Sequence, residues 1–158
     1  MELGNKKEVT ILIAEDDDGH AELICDNLQD AGIHNPMIRF RNGQEALDFF
    51  FGPQSGQEMV HDAPRRVPGR AYMLLLDIRM PKVDGVEVLR QIKADPELKN
   101  LPVIMLTTTD DPREIRNCYE LGCSCYVTKP VDYKQFSEMM VRLGLFLLVV
   151  QVPSLDGQ

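Results

Sequence analysis

Several reactive side chains stand just beyond apolar runs. Glu15, Asp16 and Asp17 follow VTILIA, Asp77 follows MLLL, Thr107 follows VIML, and Lys129 comes two residues after CYV, just before Pro130. Singly, each has an ordinary explanation. An acid after a strand caps the next helix, a threonine there bonds backbone, and a lysine is solvated. Together they suggest other chemistry. Three carboxylates in one pocket repel one another, and without a compensating cation at least one tends to stay protonated. Mg2+ suits such a site, being hard and typically held by one or two carboxylates plus waters and phosphate oxygens. With Lys129 as a point charge and Thr107 as a hydroxyl donor, Asp77 would act as a carboxylate nucleophile that accepts a phosphoryl group.

That chemistry needs one shared edge, and the pattern between these positions supplies it. VTILIA (Val9 to Ala14), MLLL (Met73 to Leu76), VIML (Val103 to Leu106) and CYV (Cys125 to Val127) each read as a strand buried on both faces, with a weaker candidate at Met37 to Phe40. Between them lie helical patterns. Ala21, Ile24, Cys25, Leu28 and Ala31 keep helical spacing, with Gly32 where a C-terminal cap is expected. Asn42 to Glu45, Asp84 to Glu87, Asp111 to Glu114 and Asp132 to Gln135 read as capping boxes, the third with Pro112 at the first helical position and the last with Val131 and Phe136 as a hydrophobic staple. Five alternations of strand and helix imply an α/β parallel sheet covered on both faces. Ligands of such sheets bind outside the carboxyl ends of the strands, where all these polar residues fall.

Composition narrows the partners. The 158 residues are 44% hydrophobic and 27% charged, which suits one domain with a real core. A net charge of −8 disfavours nucleic acid, which usually requires a basic face. Cys25, Cys118, Cys123 and Cys125 come without a secretory signal or paired CxxC motifs, so a reducing cytoplasm is the simplest compartment. LFLLVV, Leu145 to Val150, is too short to span a bilayer, and no membrane partner is expected.

AEDD at Ala14 to Asp17, LLLDIRMPKVDG at Leu74 to Gly85, PVIMLTT at Pro102 to Thr108 and CYVTKP at Cys125 to Pro130 together resemble the receiver domain of two-component response regulators. The resemblance runs from about Val9 to the last helix. It implies a flavodoxin-like (βα)5 doubly wound parallel sheet in strand order 2-1-3-4-5, and a single receiver domain over 1–158 with its core at about 9–150. By the same resemblance, Asp77 is the phosphorylation site and Mg2+ the cofactor. Asp16 is a direct metal ligand, Glu15 acts through water, and the Arg79 backbone carbonyl is a further ligand. Asp17 falls outside the acidic pair as a loop acid. Thr107 is the switch hydroxyl, Tyr126 the switch aromatic and Lys129 the phosphate-binding lysine, joined to Pro130 by a cis peptide bond. The ordinary reading of Tyr126 is a half-buried strand tyrosine with an exposed hydroxyl.

Two departures stand out. Arg79, two residues after Asp77, is expected to hover over the site and reduce carboxylate repulsion, the ordinary reading being a solvated arginine. The last helix shows a core face of Phe136, Met139, Met140 and Leu143 and then turns apolar all round at Leu145 to Val150, which calls for a cover. A homodimer through this helix is expected, the alternative being that the long segment Phe51 to Ala71 folds back over it. That segment is read as a surface insertion or a lid. His20, His34 and His61 lack motif context and read as ordinary surface or loop residues.

No output domain is expected beside this core, and the expected function is a single-domain response regulator. It takes phosphate from a sensor histidine kinase and signals to an unknown downstream protein, without being an enzyme in its own right. A weaker resemblance to single-domain regulators of phytochrome-type kinases bears on the kinase. A relay protein passing phosphate to another histidine, and a phosphate-independent docking scaffold, are the alternatives. A dehalogenase-like phosphatase would need an acid where Arg79 stands. A flavin module would need a phosphate cradle where EDDDGH stands.

Overall fold

The computed structural model describes residues 8–53, 63–149 and 155. Among the described residues strands and helices alternate: β1 (Val9–Ala14), α1 (Asp18–Asp30), β2 (Met37–Phe40), α2 (Gly43–Phe51), β3 (Ala71–Leu76), α3 (Gly85–Ala94), β4 (Val103–Thr107), α4 (Pro112–Leu121), β5 (Cys125–Thr128) and α5 (Tyr133–Val149). The strands form one parallel sheet in the order β2-β1-β3-β4-β5. The flavodoxin-like fold and the strand order expected from the resemblance are therefore both present.

The central strands β1, β3 and β4 are buried on both faces because alternate residues feed opposite cores, whereas the edge strand β2 and, against expectation, β5 are only partly buried. Leu12, Ala14, Leu74, Leu76 and Met105 pack with Phe49, Val88 and Ile92 on one side. Ile11, Ile13, Met73, Leu75, Ile104 and Leu106 pack with Ile24, Leu28, Phe136 and Met140 on the other. The expected core face of α5 is in place, and Leu147 joins the same cluster. The side chains of Leu145, Phe146 and Leu148 to Val150, which carry the rest of the apolar helix end, lie outside the described residues.

Helix starts follow the capping residues. Asn42 accepts from Glu45 N, Asp84 from Glu87 N and Asp132 from Gln135 N, each within 3.0 Å. At α4 the bond is displaced by one residue: Asp111 accepts from Arg113 N at 2.9 Å, ahead of Pro112 at the first position. Reciprocation is weaker than expected, since the Glu45 carboxylate bonds Arg41 N rather than that of its own cap. Gly32 takes the left-handed conformation (φ 96°) just after the last turn of α1, as a helix stop should.

Two local expectations fail. The Val131–Phe136 staple does not form: Val131 is fully exposed, while Phe136 is buried and stacks on His20 with ring centroids 5.9 Å apart. The Lys129–Pro130 bond is trans rather than cis. Trans is the lower-energy isomer by roughly 0.5–1 kcal/mol, and Lys129 reaches its partners from it.

Of the long segment, residues 54–62 lie outside the described residues, His61 among them. The following stretch packs back on α2 and β3. Arg66 N donates to Phe49 O, Arg65 Nη1 to Asp48 O, and Val67 N to the Tyr72 hydroxyl.

Candidate functional site

The ladder of backbone hydrogen bonds continues one residue past three strands, and those residues are reactive. Glu15 N donates to Phe40 O at 3.1 Å, Asp77 N to Ala14 O at 3.0 Å, and Lys129 N to Thr107 O at 2.6 Å. Sheet register therefore sets Glu15, Asp77, Thr107 and Lys129 side by side at the carboxyl edge. All four are buried, with Thr107 fully so.

Glu15, Asp16 and Asp77 bring one carboxylate oxygen each within 4.8 Å of one another. Asp16 is the exposed member. Lys129 Nζ lies 2.5 Å from Glu15 Oε2 and 3.2 Å from Asp77 Oδ2. One ammonium thus pairs with two of the three carboxylates. Burial, reinforced by a hydrogen bond with Asp77 and only partly opposed by Lys129, lifts the Glu15 carboxyl from 4.5 to about 7. A divalent cation among these carboxylates would oppose that rise. The donor set, hard oxygens with excess negative charge, fits Mg2+ or Mn2+.

The Thr107 hydroxyl has no hydrogen-bond partner among the described residues. A buried donor left unmade costs about 1–3 kcal/mol, so its presence beside the carboxylates suits an incoming anionic oxygen. Tyr126 is half-buried, and its hydroxyl donates to Thr109 O at 2.7 Å rather than standing free. Burial, with help from Glu114, pushes its phenol up to about 12, so it stays a donor.

Arg79 does not hover over the carboxylates. Its side chain is exposed and Nε donates to Thr109 Oγ1 at 3.4 Å, so it shares a partner with Tyr126 on the β4–α4 loop. Asp17 is outside the cluster and caps α1, accepting from His20 N at 2.9 Å, a bond that holds its carboxyl below the usual range. The β3–α3 loop folds so tightly over Asp77 that a Cβ on Gly85 would lie 2.0 Å from the Asp77 carbonyl oxygen.

Two neighbours were not legible as site residues. His20 places Nδ1 3.5 Å from Lys129 Nζ and 3.6 Å from Glu15 Oε1. Its place one turn after Asp16 was the only available signal. Arg39, a cation inside a short strand, wraps the carbonyls of the β1–α1 loop.

Comparison with known proteins points to a family. Residues 11–141 match the response regulator receiver domain family. The chain is 34% identical over 138 residues to the response regulator Rcp1 of Synechocystis, covering 87% of this chain and 88% of that one. Among solved structures, a receiver domain from Rhodospirillum rubrum superposes with a TM-score of 0.81 at 44% identity, over 92% of this chain and 97% of that one. The Mn2+-bound form of Rcp1 gives 0.77 at 33% identity (92% and 99%). The phosphorylated cyanobacterial phytochrome response regulator RcpA gives 0.76 at 30% (92% and 98%).

Proposed function

The chain belongs to the response regulator receiver domain family of two-component signalling, and on that premise we propose that it is a single-domain response regulator phosphorylated on Asp77 by a histidine kinase. The observation that carries this reading is the three-carboxylate cluster at the sheet edge, whose charge exceeds what Lys129 can neutralise. The Mn2+-bound form of Rcp1 and the phosphorylated form of RcpA support it from related proteins.

In the transfer, the P–N bond of a phosphohistidine breaks as a P–O bond forms to an Asp77 oxygen, and the bonding pair leaves with the imidazole. Asp16, Asp77, the Arg79 carbonyl and, through water, Glu15 would hold Mg2+, which when bound supplies charge stabilisation to phosphoryl oxygens. Lys129 turns from the Asp77 carboxylate to a phosphoryl oxygen. Thr107 donates its hydroxyl to another. The β4–α4 loop then moves with Thr107, and Tyr126, tied to that loop through Thr109 O, follows it. The surface of α4, β5 and α5 changes shape for a downstream protein.

The kinase is of the phytochrome type, by the kinship with RcpA. The protein acts as a homodimer through α5 in the cytoplasm; among the described residues, no helix is long and apolar enough to cross a membrane. Incubation with a small acyl phosphate and Mg2+, followed by intact mass measurement, tests the central step. The parent gains one phosphoryl group only with the cation, and Asp77→Asn gains none. An adduct on both proteins, or on neither, rejects the assignment.

A further inference from the structure

Nothing among the described residues holds Asp16 by its side chain. Its carboxylate is exposed and makes no hydrogen bond or ion pair there, although it belongs to the cluster. Its peptide unit is held instead, from β2. Arg39 lies opposite Ile13 in the β1–β2 register, where its side chain reaches past the end of β1. Its Nε and Nη2 donate to the Glu15 carbonyl oxygen at 3.1 and 2.9 Å, Nη2 also to the Asp16 carbonyl at 3.3 Å, and Nη1 lies 2.5 Å from Asp18 Oδ1.

We propose that Arg39 is a positioning residue for the cation site, clamping the Glu15 and Asp16 peptide units so that both carboxylates converge on Asp77. This rests on the reading above that the cluster binds a divalent cation. Two features make the clamp suitable. A guanidinium presents rigidly forked donors, so one side chain spans two successive carbonyls. It also brings a permanent positive charge close to the cluster while bonding only carbonyl oxygens there, so Arg39 itself occupies none of the cluster's carboxylate oxygens. Lys129, by contrast, sits directly on Glu15 and Asp77. The Asp18 pair is exposed on the acid's side, and such pairs contribute little, so the clamp does not depend on it.

The test is Mg2+ titration by calorimetry, with melting in chelator as the control. Removing a residue that orients metal ligands typically weakens binding about 10–100-fold, and Arg39→Ala is expected at the lower end of that range. Arg39→Lys keeps the charge without the fork and is expected to be impaired too, which keeps the test open should the alanine variant not fold. Asp18→Asn is expected to bind nearly as the parent does. At saturating Mg2+, phosphorylation of the Arg39 variants by the acyl phosphate recovers to within about twofold, since the half-saturation point moves and the chemical step does not. Parent-like Mg2+ affinity in Arg39→Lys, or an equal loss in Asp18→Asn, overturns the clamp. A parent that binds no Mg2+ overturns the metal reading beneath it.

Discussion

At the scale of single residues, Thr107 and Glu15 separate function from stability. The buried Thr107 hydroxyl has no partner among the described residues, so Thr107→Val, which keeps the shape and removes the donor, is expected to stabilise the protein by about 1 kcal/mol in urea denaturation. The same variant is expected to be phosphorylated more slowly and to lose its conformational response. A loss of stability would show that the hydroxyl is satisfied in solution. Glu15 sets a pH dependence. Because its carboxyl rises from 4.5 to about 7 on folding, the metal-free folded state holds the proton more tightly than the unfolded chain. Stability without metal is therefore expected to fall as pH rises from 4.5 to 7 and to level off above. Cation affinity runs the other way, rising about tenfold per pH unit toward 7 as binding displaces one proton. Glu15→Gln removes both slopes, which titrations at several pH values would reveal.

At the scale of elements, the helix starts and the tight β3–α3 loop each make a substitution test possible. Asp84→Ala removes the cap of α3 and is expected to cost about 1 kcal/mol, measured by urea denaturation. Gly85→Ala is expected to be worse. Its Cβ would meet backbone atoms of Asp77 and Ile78, which cannot swing aside as a long side chain could, and overpacking of this kind costs about 1–3 kcal/mol or more. Since the obstacle is the Asp77 peptide unit itself, phosphorylation should fall further than stability predicts. A Gly85→Ala protein with parental phosphorylation rates would contradict this. The caps were legible because a carboxylate or amide three residues before a free N–H is a local arrangement. Glu45 turning to Arg41 N, Val131 lying in solvent and the trans Lys129–Pro130 bond were not, because each depends on what the loop packs against.

At the scale of the whole molecule, α5 joins the cation site to the outer surface. Phe136 stacks on His20, and Val141 is an exposed apolar side chain on the same helix. For the proposed homodimer, sedimentation should give twice the 17.9 kDa chain mass, and Val141→Glu should shift it toward monomer. A monomeric parent at all concentrations would remove that part of the proposal. Strand and helix order, the burial of the central strands on both faces and the gathering of Glu15, Asp77, Thr107 and Lys129 on one edge were all determined by the sequence, through hydrophobic period, caps and the rule that parallel strands end together. Arg39 clamping the β1–α1 loop, His20 reaching Lys129, and Arg79 turning from the carboxylates to Thr109 were decided only by the tertiary structure. Periodicity specifies which face of an element is buried, whereas the direction of a long polar side chain depends on which donors and acceptors the neighbouring strand and loops leave within its reach.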